Sequence, residues 1–226
     1  MAIDKARTSP AMKAGVIILI IAFVAGFGVI GIGALSGGGT PSQQQTGTQA
    51  SAGALQQVSQ TNLSQIGPNE QALKAKPKDY ELLKTLGNQY SDYAQQVAQA
   101  APGAGLELTI YRQAIDYYKQ ALAVKPGDPN VETDMAIAQF YSGDTASAIA
   151  TAEQVRKAQP RFAPAVFNLG VFYKAFGQNA KAVASLEEYL KLEPNGPSAA
   201  NANKLLTELR SGVSQPPVGS TSATGN

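Results

Sequence analysis

Residues 125–194 read KPGDPNVETDMAIAQFYSGDTASAIATAEQVRKAQPRFAPAVFNLGVFYKAFGQNAKAVASLEEYLKLEP. This stretch decides the fold, because one pattern runs through it twice. Pro126, Pro160 and Pro194 are 34 residues apart, as are Ala136 and Gly170, Gly143 and Gly177, and Ala148 and Ala182. A fixed period of that size carrying helical sequence predicts an array of helix–turn–helix units.

Each spacing has a physical reason. Leu169, Gly170 and Tyr173 share one face of a first helix. Gly177 ends it, since glycine accepts backbone angles that other residues resist. Ala182, Leu186 and Tyr189 stand at i, i+4 and i+7 and form the apolar stripe of a second helix. Gly170 and Ala182 are small where two antiparallel helices must come close. Pro194 stops the second helix, because proline cannot continue one.

The run Val166, Leu169-Gly170, Tyr173, Gly177, Ala182, Leu186, Tyr189, Pro194 resembles the tetratricopeptide repeat, with Tyr189 in place of a usual Ala. The preceding unit reads Glu132, Met135-Ala136, Gln139, Gly143, Ala148, Ala152, Val155, Pro160. It departs from the family at Glu132 and Gln139, and looser packing is expected there. An earlier unit shows Leu83, Leu86-Gly87 and Tyr90, then Ala114, Tyr118, Ala121 and Pro126. Ala72 to Pro77 reads like Ala121 to Pro126, but 49 residues earlier rather than 34. An insertion therefore falls around 95–108 and lengthens both helices of that unit. Asp79 is placed to cap the first of them.

The expected fold is all-α: an N-terminal transmembrane helix, a flexible linker, then a solenoid of about three tetratricopeptide repeats with a C-terminal capping helix. The repeats are placed at 78–126, 129–160 and 163–194, within a domain spanning 69–211. Pro197 is expected to open the cap (197–211), which carries Leu205, Leu206 and Leu209 on one side. Residues 212–226 are read as a coreless tail.

Gly15 to Leu35 holds 21 residues without a charged side chain, and 13 of them are Val, Ile, Leu or Phe. At ~0.3–0.6 kcal/mol each these favour insertion by roughly 4–8 kcal/mol, before the glycines are counted against it. The length suits a bilayer. Lys5, Arg7 and Lys13 precede the span, and no charge follows until Glu70. The positive-inside rule then places residues 1–14 in the cytoplasm and the repeats outside the cell membrane. A cleaved signal ending at Ala34-Leu35-Ser36 is the competing reading. Gly26, Gly28 and Gly31 match a dinucleotide-binding string, but they lie within the span and no acid follows for decades of residues, so no nucleotide is expected. Residues 36–68, rich in Gly, Ser, Thr and Gln, are read as a flexible tether, with a weak helix as the alternative over Gln56 to Ile66.

Composition narrows the chemistry. There is no Cys and no His among 226 residues. Thiolate and imidazole catalysis are thereby excluded, as are the metal sites those groups build. From Glu70 to Arg210 there are 15 basic and 15 acidic residues. That balance argues against a nucleic-acid footprint. No acidic pair forms an acid/base constellation, so neither catalysis nor a cofactor is expected. Glu187 and Glu188 are read as a solvated helix face.

The family resemblance implies a concave surface lined by first helices. Alignment places Lys84, Asn88 and Asp92 there from the first repeat. The second supplies Thr133, Asp134, Ile137, Phe140 and Tyr141. The third supplies Phe167, Asn168, Val171 and Lys174. Together they predict a groove with an apolar centre and polar edges, suited to a peptide or protein partner. A subset of the family clamps the carboxylate end of chaperones. Lys84 and Asn88 match its first pair, but Asp134, Pro164 and Asn168 replace the remaining clamp residues. An acid there repels a carboxylate, so that ligand is rejected. The layout of basic head, single span and external repeats is similar to bacterial envelope proteins that assist secretion or cytochrome maturation. A self-associating component of an envelope assembly is the second reading.

Overall fold

The computed structural model describes residues 44–213. Among them are eight helices and no strand. They form two compact units that meet in sequence between Asp144 and Thr145. The boundary therefore falls inside the second expected repeat, at its internal turn.

The first unit contains α1 (Gln44–Ala75), α2 (Tyr80–Ala100), α3 (Leu106–Val124) and α4 (Pro129–Tyr141). Asp79 caps α2 as expected, its Oδ1 accepting the Leu82 N–H at 3.2 Å. Asp128 does the same for α4, accepting the Asn130 N–H at 3.0 Å ahead of Pro129. The long hairpin α2–α3 has helices of 21 and 19 residues, against 13 for α4. Its centre is aromatic: Tyr90, Tyr93, Tyr117 and Tyr118 are all buried. Gly87 lets the two helices approach, since a Cβ there would lie 2.4 Å from Cε1 of Tyr118.

The tether expected over 36–68 is corrected where the structure describes it. Residues 44–75 are a single 32-residue helix that runs through Pro68. The polar composition hides a stripe. Leu55, Ser59, Asn62, Ile66, Glu70 and Leu73 recur at helical spacing and face the α2–α3 hairpin. Burying Leu55 and Ile66 contributes about 1.5–3 kcal/mol each. The polar members of the stripe are all satisfied. Tyr93 donates to Ser59 Oγ at 3.1 Å, and Asn62 Nδ2 donates to Gln96 Oε1 at 2.9 Å. Glu70 Oε1 accepts from both Tyr90 (2.8 Å) and Tyr117 (2.9 Å), tying three helices at one oxygen.

The second unit contains α5 (Thr145–Ala158), α6 (Ala163–Ala175), α7 (Asn179–Leu192) and α8 (Ala199–Val213). Gly170 faces Leu186, where a Cβ would lie 2.6 Å from two side-chain carbons. Gly177 adopts φ 78° just past α6, and the following Gln178 N–H bonds to the Tyr173 carbonyl at 2.8 Å. This closes a Schellman turn that satisfies an otherwise orphaned carbonyl. In the first unit Gly143 (φ 90°) and the Asp144 N–H, on the Gln139 carbonyl at 2.9 Å, do the same for α4.

Tyr189, the departure from the family pattern, is buried against Phe167, with ring centroids 5.3 Å apart. Its hydroxyl accepts the Ser198 N–H at 3.0 Å, just ahead of α8. The extra ring thus anchors the last helix. That helix begins at Ala199, so Pro197 lies in the preceding turn rather than at its first position. The reason is local: Ala199 N–H already bonds the Gly196 carbonyl in that turn. Glu187 and Glu188 are not merely solvated, because they pair with Arg210 (2.8 Å) and Arg156 (3.4 Å).

The expected span, residues 15–35, lies outside the described residues, as do the basic head and the tail from 214. Among the described residues, no helix is long and apolar enough to cross a membrane.

Candidate functional site

The first unit carries a cavity of about 320 Å³ between α2, α3 and α4. Five of the expected groove residues line it: Asn88, Asp92, Asp134, Ile137 and Tyr141. Four residues outside the expected groove set complete it: Ser91, Gln95, Tyr111 and Tyr118. Alignment of the repeats assigns the groove to first helices alone. Here α3, the second helix of its hairpin, adds Tyr111 and Tyr118, seven positions apart on one face. A signal is present in the sequence: Tyr118 already stands in the apolar pattern of the second helix, and Tyr111 lies two turns before it on the same face.

Three aromatic rings shape the cavity. Tyr111 and Tyr141 stack with centroids 5.6 Å apart and planes 18° from parallel. Tyr141 is nonetheless 53% exposed, so one side of the stack is open to a partner. Tyr118 is buried, and its hydroxyl donates to Asn88 Oδ1 at 2.8 Å. Burial pushes the Tyr111 hydroxyl up to about 12, with nearby Tyr141, Glu107 and Asp92 adding to the effect. Burial likewise raises Tyr118, so both hydroxyls stay protonated as donors.

Two carboxylates, Asp92 and Asp134, face the same space, and no basic side chain lines it. Asp134 is half-buried. Burial first, then the negative fields of Asp128 and Asp92, push its pKa up from 3.8 to about 6; Lys84 opposes this. The Lys84 ammonium itself is held by Glu81 at 2.6 Å and lies 5.4 Å from the Tyr80 ring centre. Lys84 is thus outside the lining.

The other expected groove residues separate. Thr133 is buried, so it belongs to the interior rather than to a surface. On α4, Asp134, Ile137 and Tyr141 share one face at i, i+3 and i+7. Phe140 packs edge-on against Tyr141 at 5.3 Å. Phe167, Asn168, Val171 and Lys174 lie on α6 of the second unit. There Phe167 packs on Tyr189, and Lys174 pairs with Glu208, 34 positions on, at the cap.

Comparison with known proteins agrees with this architecture. Residues 133–203 match the family model described as tetratricopeptide repeat, which supports that family over this stretch. Among curated proteins, none matches the chain. Among solved structures, MamA is similar at 18% identity and a TM-score of 0.50, covering 74% of this chain and 85% of MamA. The first TPR of Spaghetti (RPAP3), solved with the HSP90 peptide SRMEEVD, is 23% identical with a TM-score of 0.49. That comparison covers 60% of this chain and 94% of the other. The Sgt2 TPR domain from Aspergillus fumigatus is 23% identical with a TM-score of 0.46, covering 62% and 91%. At 18% identity the likeness to MamA is one of fold.

Proposed function

We propose, taking the repeat match over 133–203 as premise, that the protein is a non-catalytic interaction module that holds a peptide or protein segment in the α2–α3–α4 cavity. The observation that carries this is the cavity itself. It is open, walled by aromatic rings, and edged by groups with hydrogen-bonding capacity (Asn88, Ser91, Gln95), a composition that suits peptide capture. Tyr141 presents over half of its surface at the site. Tyrosine is a favoured anchor at interfaces because a rigid ring buries much area at small entropic loss. The apolar span at 15–35 supports a tether to the cell membrane with the repeats on its outer side, where the module assists secretion or envelope assembly.

The test is partner retention by variants that keep the fold. Tyr141→Ser and Ile137→Ser should leave the helical signal and melting little changed, because both residues sit outside the buried core. Both should weaken capture of partners crosslinked in native membranes. Unchanged capture by both variants refutes the assignment of the cavity. A single homo-oligomeric adduct with no other protein would favour self-association instead.

A further inference from the structure

We infer that the cavity selects a basic side chain, lysine or arginine, on the captured segment. This deepens the proposed function and rests on it. Three independent features converge. First, Asp92 and Asp134 both face the cavity, and no base lines it. The salt bridges among the described residues engage neither carboxylate. Second, the walls are π-faces. The Tyr111–Tyr141 stack leaves an exposed ring on which a cation gains quadrupole attraction within about 6 Å. Third, the size is right. About 320 Å³ is at the low end for small-molecule pockets, small for a cofactor and ample for one long side chain.

Positive charge is scarce around the inner carboxylate. Asp134 is held half-buried beside two other acids, Asp92 across the cavity and Asp128 at the start of α4. Of the groups around it, Lys84 on α2 is the cation that offsets this, and Glu81 competes for it. Tyr118 on α3 and Asn88 on α2 are occupied with each other. An incoming ammonium or guanidinium supplies the missing positive charge, and a carboxylate would be repelled.

The probes are three Gly/Ser decapeptides that differ at one central residue: arginine, citrulline (its neutral isostere) or glutamate. Each is titrated into the full chain and followed by amide chemical shifts. The arginine peptide should perturb Asn88–Gln95, Tyr111 and Asp134–Tyr141 at least tenfold more tightly than the other two. Asp134→Asn and the exposed Asp92→Asn should each weaken it about tenfold while keeping the native spectrum. Lowering the pH through about 6 should weaken it in the wild type and not in Asp134→Asn. Equal binding of all three peptides at these residues overturns the charge selection and leaves the capture function standing. Perturbation by none of them overturns both.

Discussion

Gly87→Ala is the substitution that most sharply separates packing from propensity. In an exposed helix interior, replacing Gly by Ala gains about 0.5–1 kcal/mol. At position 87 the added methyl would lie 2.4 and 2.5 Å from Cε1 and Cδ1 of Tyr118. Contacts that short force the ring to move. The ring is 1% exposed, so any shift either presses on packed neighbours or carries it toward the cavity it lines. Overpacking of this kind costs about 1–3 kcal/mol. Moving the ring also stretches the Tyr118–Asn88 hydrogen bond, a further loss of about 1 kcal/mol. The net expectation is a destabilisation of about 1–3 kcal/mol in the first unit. Gly53→Ala is the control. Gly53 lies in α1, and an added methyl there would meet nothing within 4 Å, so the same change should stabilise by about 0.5–1 kcal/mol. The assay is urea unfolding of the full chain by helical ellipticity, comparing midpoints at constant slope. A Gly87→Ala protein as stable as Gly53→Ala would refute the close approach of α2 and α3.

Three further outcomes are expected. Asp134 has a folded pKa raised above its unfolded value, so its ionisation opposes folding at neutral pH and the penalty disappears as pH falls below about 4. Asp134→Asn should therefore raise stability at pH 7 by about 1–2 kcal/mol after solvent screening, and by almost nothing at pH 4; urea midpoints at the two pH values check this. Glu70→Leu should cost about 2–4 kcal/mol by orphaning the Tyr90 and Tyr117 hydroxyls, with Glu70→Gln losing less, read by thermal melting. Ala182→Arg should unfold the second unit, because a fully buried alanine gives way to a long charged chain; unchanged helicity would show the repeat register to be wrong.

The repeat hairpins are legible in the sequence because their constraints are local and periodic. Gly170 and Ala182 mark close approach, Gly143 and Gly177 mark turns, and all behave in the structure as those spacings require. Helix α1 is legible only as a weak helix over Gln56 to Ile66, not as the 32-residue element it is. Its Gly, Ser, Thr and Gln residues suggest a tether, and Pro68 adds a breaker, yet tertiary packing of Leu55, Ile66 and Leu73 and the Glu70 hydrogen bonds override both. Tyr189 looks like a defect in the pattern because its partner, the Ser198 N–H, belongs to the next element. The cavity is half legible. Asn88, Asp92, Asp134, Ile137 and Tyr141 follow from alignment of first helices. Tyr111 and Tyr118 lie on α3, a second helix, and alignment of first helices does not carry them into the groove.

The most direct test of the account places a photo-crosslinking amino acid at position 141, in the cavity, and separately at exposed position 123 on α3. Both proteins are irradiated in native membranes. A heterologous protein adduct from position 141, absent from position 123, is the predicted result. Equal adducts from both positions, or adducts from position 123 alone, would contradict capture at this cavity.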